Sequence, residues 1–140
     1  MAVSEFAPRP RPVVNALNRG FWDGCANGEL RIQRCGACRT WQHPPRARCA
    51  QCLSADIGFE AVSGRGAIYT FTVARHAARP GIPVPFVLAL VELVEQPGLR
   101  LTTNIVGCDV DHVEIDVPVR LRFDTEPDGF AVPVFEPDLP

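Results

Sequence analysis

The 140-residue chain contains no lysine, and its fourteen basic residues are all arginine. Schiff-base chemistry is thereby excluded, because it needs a lysine amine. The sequence has no run of about 18 apolar residues, so no transmembrane helix is expected. Residues 1–12 are rich in Pro, Arg and Ala but lack an apolar h-region, so no secretory signal is expected. A glycine-rich phosphate loop is also missing. Gly64-Arg65-Gly66 is too short for either nucleotide fingerprint. With no export signal, the six cysteines belong in a reducing, cytoplasmic setting, which favours metal over disulfide.

Four of those cysteines form the strongest pattern in the chain. Cys35-Gly36-Ala37-Cys38 is followed, ten residues later, by Cys49-Ala50-Gln51-Cys52. Each CxxC turn aims two sulfurs at one point, and Gly36 is expected to let the first turn fold around an ion. The intervening loop, stiffened by Pro44 and Pro45, is long enough to bring the second turn over the first. Four thiolates closed around one ion suit zinc, and a closed site leaves no position for substrate. Two disulfides, free thiols at a chance spacing, or iron in a rubredoxin-like site are the competing readings.

Charge is unevenly spread. Residues 1–79 hold 11 Arg against 5 acids, a net of +6; residues 80–140 hold 3 Arg against 11 acids, a net of -8. This suggests two surfaces with different partners, or simply two solvated faces.

Residues 1–12, with Pro8, Pro10 and Pro12 alternating with Arg, read as a disordered tail. Residues 13–28 read as one amphipathic helix, with Val14, Leu17, Phe21 and Cys25 on its apolar face, Trp22 extending it and Asn27-Gly28 as its stop. Residues 29–60 form the metal ribbon: a strand over Glu29–Gln33, a return strand at Thr40–Gln42, and a stiff loop from His43 to Arg46. Residues 61–136 hold five β-rich segments, at 67–74, 85–94, 99–106, 117–123 and 130–135, separated by turn signals. The second is almost continuously apolar, as for a strand buried on both sides. Five such strands predict a small Greek-key barrel, the OB-fold. Gly107–Asp116, with four acids, is the expected link between strands three and four.

These pieces, in this order, resemble one family. They are the Phe21-Trp22 helix, Gly28-Glu29-Leu30 leading to Cys35-x-x-Cys38, and Pro44-Pro45-Arg46 before Cys49-x-x-Cys52. Gly64-Arg65-Gly66 with Tyr69-Thr70-Phe71-Thr72, Val91-Glu92-Leu93 and Thr103-Asn104-Ile105-Val106-Gly107 follow. The chain is similar over roughly residues 13–136 to the "domain of unknown function thirty-five" family. One departure is the turn Glu95-Gln96-Pro97-Gly98, where a tighter acidic-Gly turn is the family pattern. The resemblance implies a mainly β architecture of helix, rubredoxin-like zinc ribbon and OB barrel, with structural zinc on Cys35, Cys38, Cys49 and Cys52. It also implies a non-catalytic accessory subunit of a thiolase-superfamily enzyme: a condensing thiolase, an acyltransferase or a steroid side-chain retro-aldolase. Such a subunit would stabilise its partner and help shape the CoA-thioester entrance, in a hetero-oligomer, conceivably two-plus-two. Phe21, Trp22, Arg46, Arg48 and His76 are the expected partner or CoA contacts.

No catalytic set stands out. His43 lies in the ribbon loop, His76 ends the first barrel strand, and His112 sits among Asp109, Asp111, Glu114 and Asp116. Each reads more simply as a loop or supporting residue than as a ligand or base. Cys25 and Cys108 read as inert thiols. The alternative class is a nucleic-acid-binding ribbon and OB protein, with Tyr69 and Phe71 stacking on bases. The acidic barrel half, whose only cations are Arg100, Arg120 and Arg122, opposes it, because a backbone-tracking groove must be basic.

Overall fold

The structure is a computed structural model and describes residues 9–78 and 80–138. Its elements are helix α1 (Arg19–Ala26), ribbon strands β1 (Arg31–Cys35), β2 (Trp41–Gln42) and β3 (Ile57–Ala61), and barrel strands β4 (Arg65–Ala74), β5 (Phe86–Leu93), β6 (Arg100–Ile105), β7 (Pro118–Thr125) and β8 (Ala131–Pro137). The fold is mainly β, as expected: a three-stranded ribbon sheet ordered β2-β1-β3, and a closed five-stranded barrel ordered β4-β5-β6-β8-β7.

The helix is shorter than the periodicity suggests. Val13, Val14 and Leu17 are exposed, and only Phe21 and Cys25 of the anticipated apolar face are buried. Two asparagines explain the late start. The Asn15 side-chain oxygen accepts from the N–H groups of Leu17 (2.9 Å) and Asn18 (3.0 Å), while that of Asn18 accepts from the Asn15 N–H (2.8 Å). Side chains that capture local N–H groups hold the backbone in turns rather than in helix. The expected stop at Asn27-Gly28 is where the helix ends.

All five anticipated barrel strands are present, with bounds within about two residues. Closure comes from β4, which pairs with β5 along its length and with β7 at its start. Gly66 sits where both partners meet it; a Cβ there would lie 2.8 Å from Val91 Cγ1, against the Glu92 carbonyl. Only glycine fits so close a backbone approach. The long β4 bends through a bulge at Tyr69. The parallel β6–β8 contact completes the ring, with the Val106 N–H donating to the Phe135 carbonyl at 2.8 Å. The acidic link over Gly107–Asp116 connects β6 to β7 and holds one short 3-10 turn, Val110–His112, with His112 exposed.

Two expectations need correcting. Strand β5 is not buried on both sides. Val87, Ala89, Val91 and Leu93 point inward, while Leu88 is 43% exposed on the outer face. Its apolar run therefore serves the core at alternate positions only. The third ribbon strand, β3, pairs with β1 from Arg31↔Ala61 to Cys35↔Ile57 and was not anticipated, because its Ile-Gly-Phe-Glu-Ala stretch carries little apolar alternation.

One continuous core joins the parts. Phe21, Cys25, Leu30, Ile32 and Trp41 pack with the barrel interior of Ile68, Val87, Val91, Val119 and Phe135. The uneven charge is partly resolved inside the molecule. Arg9 and Arg11 do not trail away as a tail: Arg9 Nε meets Asp124 at 2.9 Å, and Arg11 bridges Glu126 and Asp128 at 3.0 Å each. The remaining residues of the anticipated disordered tail, 1–8, lie outside the described residues.

Candidate metal centre and its surroundings

The four ribbon cysteines converge. Their sulfurs all lie within 4.8 Å of one another. Cys35 Sγ and Cys52 Sγ are 3.5 Å apart, as are Cys38 Sγ and Cys49 Sγ. A tetrahedral site with zinc–sulfur bonds of about 2.3 Å would place its sulfurs roughly 3.8 Å apart. The thiol set therefore fits a single four-coordinate ion, and no disulfide joins any cysteine.

The two turns are near-duplicates. The Cys35 N–H donates to the Thr40 carbonyl and the Cys49 N–H to the Ser54 carbonyl, both at 2.9 Å. The Arg39 and Leu53 N–H groups return to the Cys35 and Cys49 carbonyls at 3.0 and 2.9 Å. Arg39 and Leu53 both take positive φ, 65° and 64°. Inside each turn two backbone N–H groups point at the first sulfur: Ala37 and Cys38 at Cys35 (3.3 and 3.4 Å), Gln51 and Cys52 at Cys49 (3.3 and 3.5 Å). Such donors favour the thiolate form that a metal needs. Gly36 does not take the unusual backbone expected of it; its missing side chain makes room for the Asp56 carboxylate, and its N–H donates to the Asp56 carbonyl at 2.7 Å.

Without an ion the thiols compete. Hydrogen bonding from the Thr40 hydroxyl and then its backbone N–H pulls Cys38 down to about 6. For Cys52 the Ser54 N–H acts to lower the value, but the neighbouring thiols and burial outweigh it and push Cys52 up to about 11. Four thiols in one small volume cannot all ionise without a cation to offset them.

Glutamines place the second turn over the first. Buried Gln33 receives the Arg46 N–H on its side-chain oxygen and donates its amide to the Arg46 carbonyl, both at 2.8 Å. Gln42 accepts from the Ala50 N–H at 2.9 Å and donates to the Arg48 carbonyl at 3.2 Å. Sequence reasoning missed both, since a glutamine alternating along a strand looks solvated. Only the burial of Gln33 singles it out.

The expected contact residues do not form one patch. Phe21 is 6% exposed and packs edge-on to Trp22 (centroids 4.9 Å apart) and against His43 (5.5 Å). Trp22 is half-buried and faces Phe130 at 5.8 Å. The anticipated exposed aromatic pair is thus mostly consumed in fixing α1 to ribbon and barrel. The Arg46 side chain is exposed, Arg48 donates to the Leu53 carbonyl at 3.1 Å, and His76 is exposed in the turn after β4. His43 is not part of the converging four-sulfur group. Burial holds its imidazole down to about 4, and its Nδ1 has no hydrogen-bond partner among the described residues. Burial and Asp109 push the Cys108 thiol up, the reverse of an activated nucleophile, and burial pushes Cys25 up to about 12.

A four-thiol ribbon sheet locked to a closed OB barrel defines a two-module ribbon–OB protein. Residues 22–58 match the family described as "ChsH2, rubredoxin-like zinc ribbon domain", and residues 59–124 that described as "ChsH2, C-terminal OB-fold domain". The chain is 30% identical over 107 residues to a DUF35 domain-containing scaffold protein of Methanothermobacter thermautotrophicus, spanning 61% of this chain and 79% of that one. The chain belongs to the DUF35 family of ribbon–OB proteins. It is similar to a chain of the "Ltp2-ChsH2(DUF35) aldolase", with a TM-score of 0.85 and 40% identity over 92% of this chain and 100% of that chain. It is also 42% identical over 128 residues, 91% of its length, to the 3-oxo-4,17-pregnadiene-20-carboxyl-CoA hydratase alpha subunit of Mycobacterium tuberculosis. A probable enoyl-CoA hydratase alpha subunit of Thermomonospora curvata is 41% identical over 134 residues, 96% of this chain. The chain spans about 40% of the length of these two hydratase subunits. No helix among the described residues is long and apolar enough to cross a membrane.

Proposed function

We propose that the chain is a non-catalytic accessory subunit of a thiolase-like enzyme acting on CoA thioesters, working in the cytoplasm. One observation carries this reading. The same ribbon–OB module matches the whole of a chain named for an aldolase and about 40% of subunits named for hydratases. A module common to proteins named for two different reactions is better suited to assembly than to either bond change. The chemistry of the residues agrees. The four thiols form a closed set with no open position for substrate, and Cys108 is deactivated rather than activated. The four cysteines would hold zinc as a structural ion, and the ribbon would owe much of its folding free energy to it.

A thiolase-like partner is what the resemblance to the family implies, and the names aldolase and CoA hydratase among the relatives point to CoA-thioester chemistry. In this reading the ribbon and α1 present surface to the partner near its CoA and acyl entrance. The nucleic-acid reading loses ground on contacts. Arg100 pairs with Glu92, and Arg120 and Arg122 pair with Glu136. The Tyr69 ring is already covered by the Arg100 guanidinium at 3.6 Å.

Co-expression with a thiolase-like protein encoded in the same genome tests the proposal. The expected result is co-elution and CoA-thioester cleavage or condensation that needs both chains. A partner fully active alone, with no co-elution, would contradict it.

A further inference from the structure

A hollow of about 410 Å³ lies where α1, the ribbon loop and the outer barrel face meet. Phe21, Trp22, His43, Pro45, Leu88 and Thr102 supply its working surfaces. Its volume falls in the range of small-molecule sites, roughly 300–1,000 Å³, and its walls come from three separate elements. Three observations say what would fill it.

The first is Leu88, 43% exposed on an outward position of β5, which offers apolar surface to the hollow instead of to the core. Flat walls are the second: Phe21, Trp22 and His43 are held in one ring cluster, with Pro45 beside them. Ring and proline surfaces of this kind suit a ligand with its own rings. The third is polarity. Arg9 reaches the rim, but its guanidinium is engaged by Asp124 (2.9 Å) and Asn104 (3.2 Å), so the rim offers an already balanced charge. The remaining polar lining is Asn18, Thr103 and Asn104, whose side chains are already hydrogen-bonded within the chain, and the exposed Thr102 hydroxyl. A hydroxyl both donates and accepts, so the Thr102 side chain can receive a donor that a ligand brings to the otherwise apolar hollow.

We propose that this hollow binds a neutral, ring-bearing apolar group carrying one hydrogen-bond donor. The proposal deepens the function given above, since the acyl part of a CoA thioester can be such a group. It places the recognition of that part on this chain's α1–ribbon–barrel junction and leaves the nucleotide part elsewhere.

The test is calorimetric titration of the zinc-loaded full chain, without partner, with four probes. They are a neutral 3-hydroxysteroid, its 3-deoxy counterpart, palmitate and free CoA. The hydroxysteroid should bind saturably at one per chain, with palmitate and CoA at least tenfold weaker. Leu88→Trp, which fills the hollow from an outward strand position, should weaken steroid binding at least tenfold with zinc content and melting temperature unchanged. Thr102→Val should retain the ring cluster and reduce the hydroxy-over-deoxy preference about fivefold. Absence of saturation, equal binding by Leu88→Trp, or tighter binding of palmitate or CoA would overturn the proposal. So would a Leu88→Trp variant that blocks co-elution with the thiolase-like subunit while the wild-type chain binds no steroid, because the hollow would then take a partner side chain. Steroid binding is read without the partner, so its failure leaves the subunit assignment standing, and failed co-elution leaves the hollow's ligand standing.

Discussion

The side-chain amide of Gln96 pairs with both backbone groups of Trp41: its Oε1 accepts from the Trp41 N–H at 3.0 Å, and its Nε2 donates to the Trp41 carbonyl at 2.9 Å. Gln96 thus acts as a one-residue strand along the open edge of β2, and it reaches there from the barrel turn after β5. That turn is the place where the sequence departs from the family pattern. Its neighbour Glu95 accepts from the Ser63 N–H at 2.8 Å, across the junction between ribbon and barrel. The extra length therefore serves as a clamp between the two modules.

Removing the clamp should loosen the ribbon from the barrel. Each net hydrogen bond contributes about 0.5–1.5 kcal/mol, and the stranded Trp41 groups add a desolvation cost. Gln96→Ala should lower stability by about 1–3 kcal/mol, read as a drop in the urea midpoint with an unchanged slope. Gln96→Glu should fare little better, since a carboxylate cannot donate to the Trp41 carbonyl. A midpoint equal to wild type in both variants would remove the clamp from the account.

The thiol cluster predicts one zinc per chain by elemental analysis. Chelation should release it and unfold the ribbon, seen as a change in near-UV signal from Trp41, whose ring packs under the Arg34 guanidinium at 4.5 Å. Cys35→Ser and Cys49→Ser should be the most damaging single changes, since these two buried sulfurs receive the paired backbone donors. A metal-free chain with an unchanged near-UV spectrum would contradict the staple.

His43 makes the fold acid-sensitive in a defined window. Its folded value, about 4, lies below the ordinary histidine value of 6.5 because burial disfavours the charged ring. In that window the unfolded chain binds the proton and the folded chain does not, so stability is full above about 6.5 and falls as pH drops towards 4. The loss is on the order of 2–3 kcal/mol. His43→Phe should flatten this limb, and the difference between the two pH profiles separates it from acid release of metal. Parallel profiles for wild type and variant would count against it.

Arg9 and Arg11 tie the segment before α1 to the acidic end of the barrel. Arg9 and Asp124 are both largely buried, so removing one strands the other. Arg9→Ala should destabilise by about 1–3 kcal/mol. Arg11→Ala loses an exposed pair with Asp128 worth well under 1 kcal/mol, its pair with the buried Glu126 carboxylate and its packing over Phe130 at 4.1 Å, so it should destabilise by about 1–3 kcal/mol in all. Added salt should narrow the gap between wild type and Arg11→Ala more than that between wild type and Arg9→Ala. Equal salt response of the two would show that burial does not separate them.

Much of this was legible in the sequence. Two CxxC turns at ten-residue spacing announce a convergent thiol site whatever surrounds them. The alternation of Ile68, Val87, Leu101, Val119 and Val134 marks barrel strands, because one face of each must be buried. What was hidden is what local pattern cannot encode. The glutamines at 33, 42 and 96 bond backbone that is distant from them in sequence, and a solvated glutamine has the same letter. Phe21 and Trp22 advertised a contact surface, yet a large aromatic serves equally to seal one module on another. The apolar run of β5 concealed that Leu88 faces outward. The basic and acidic halves looked like separate surfaces, and only the fold shows Arg9 and Arg11 meeting Asp124, Glu126 and Asp128.

Native mass spectrometry of this chain co-expressed with the proposed thiolase-like partner tests the central claim most directly. The account predicts a hetero-oligomer in which every copy of this chain carries one zinc, and which dissociates when the zinc is removed. Free, zinc-loaded chain beside a fully active partner would contradict it.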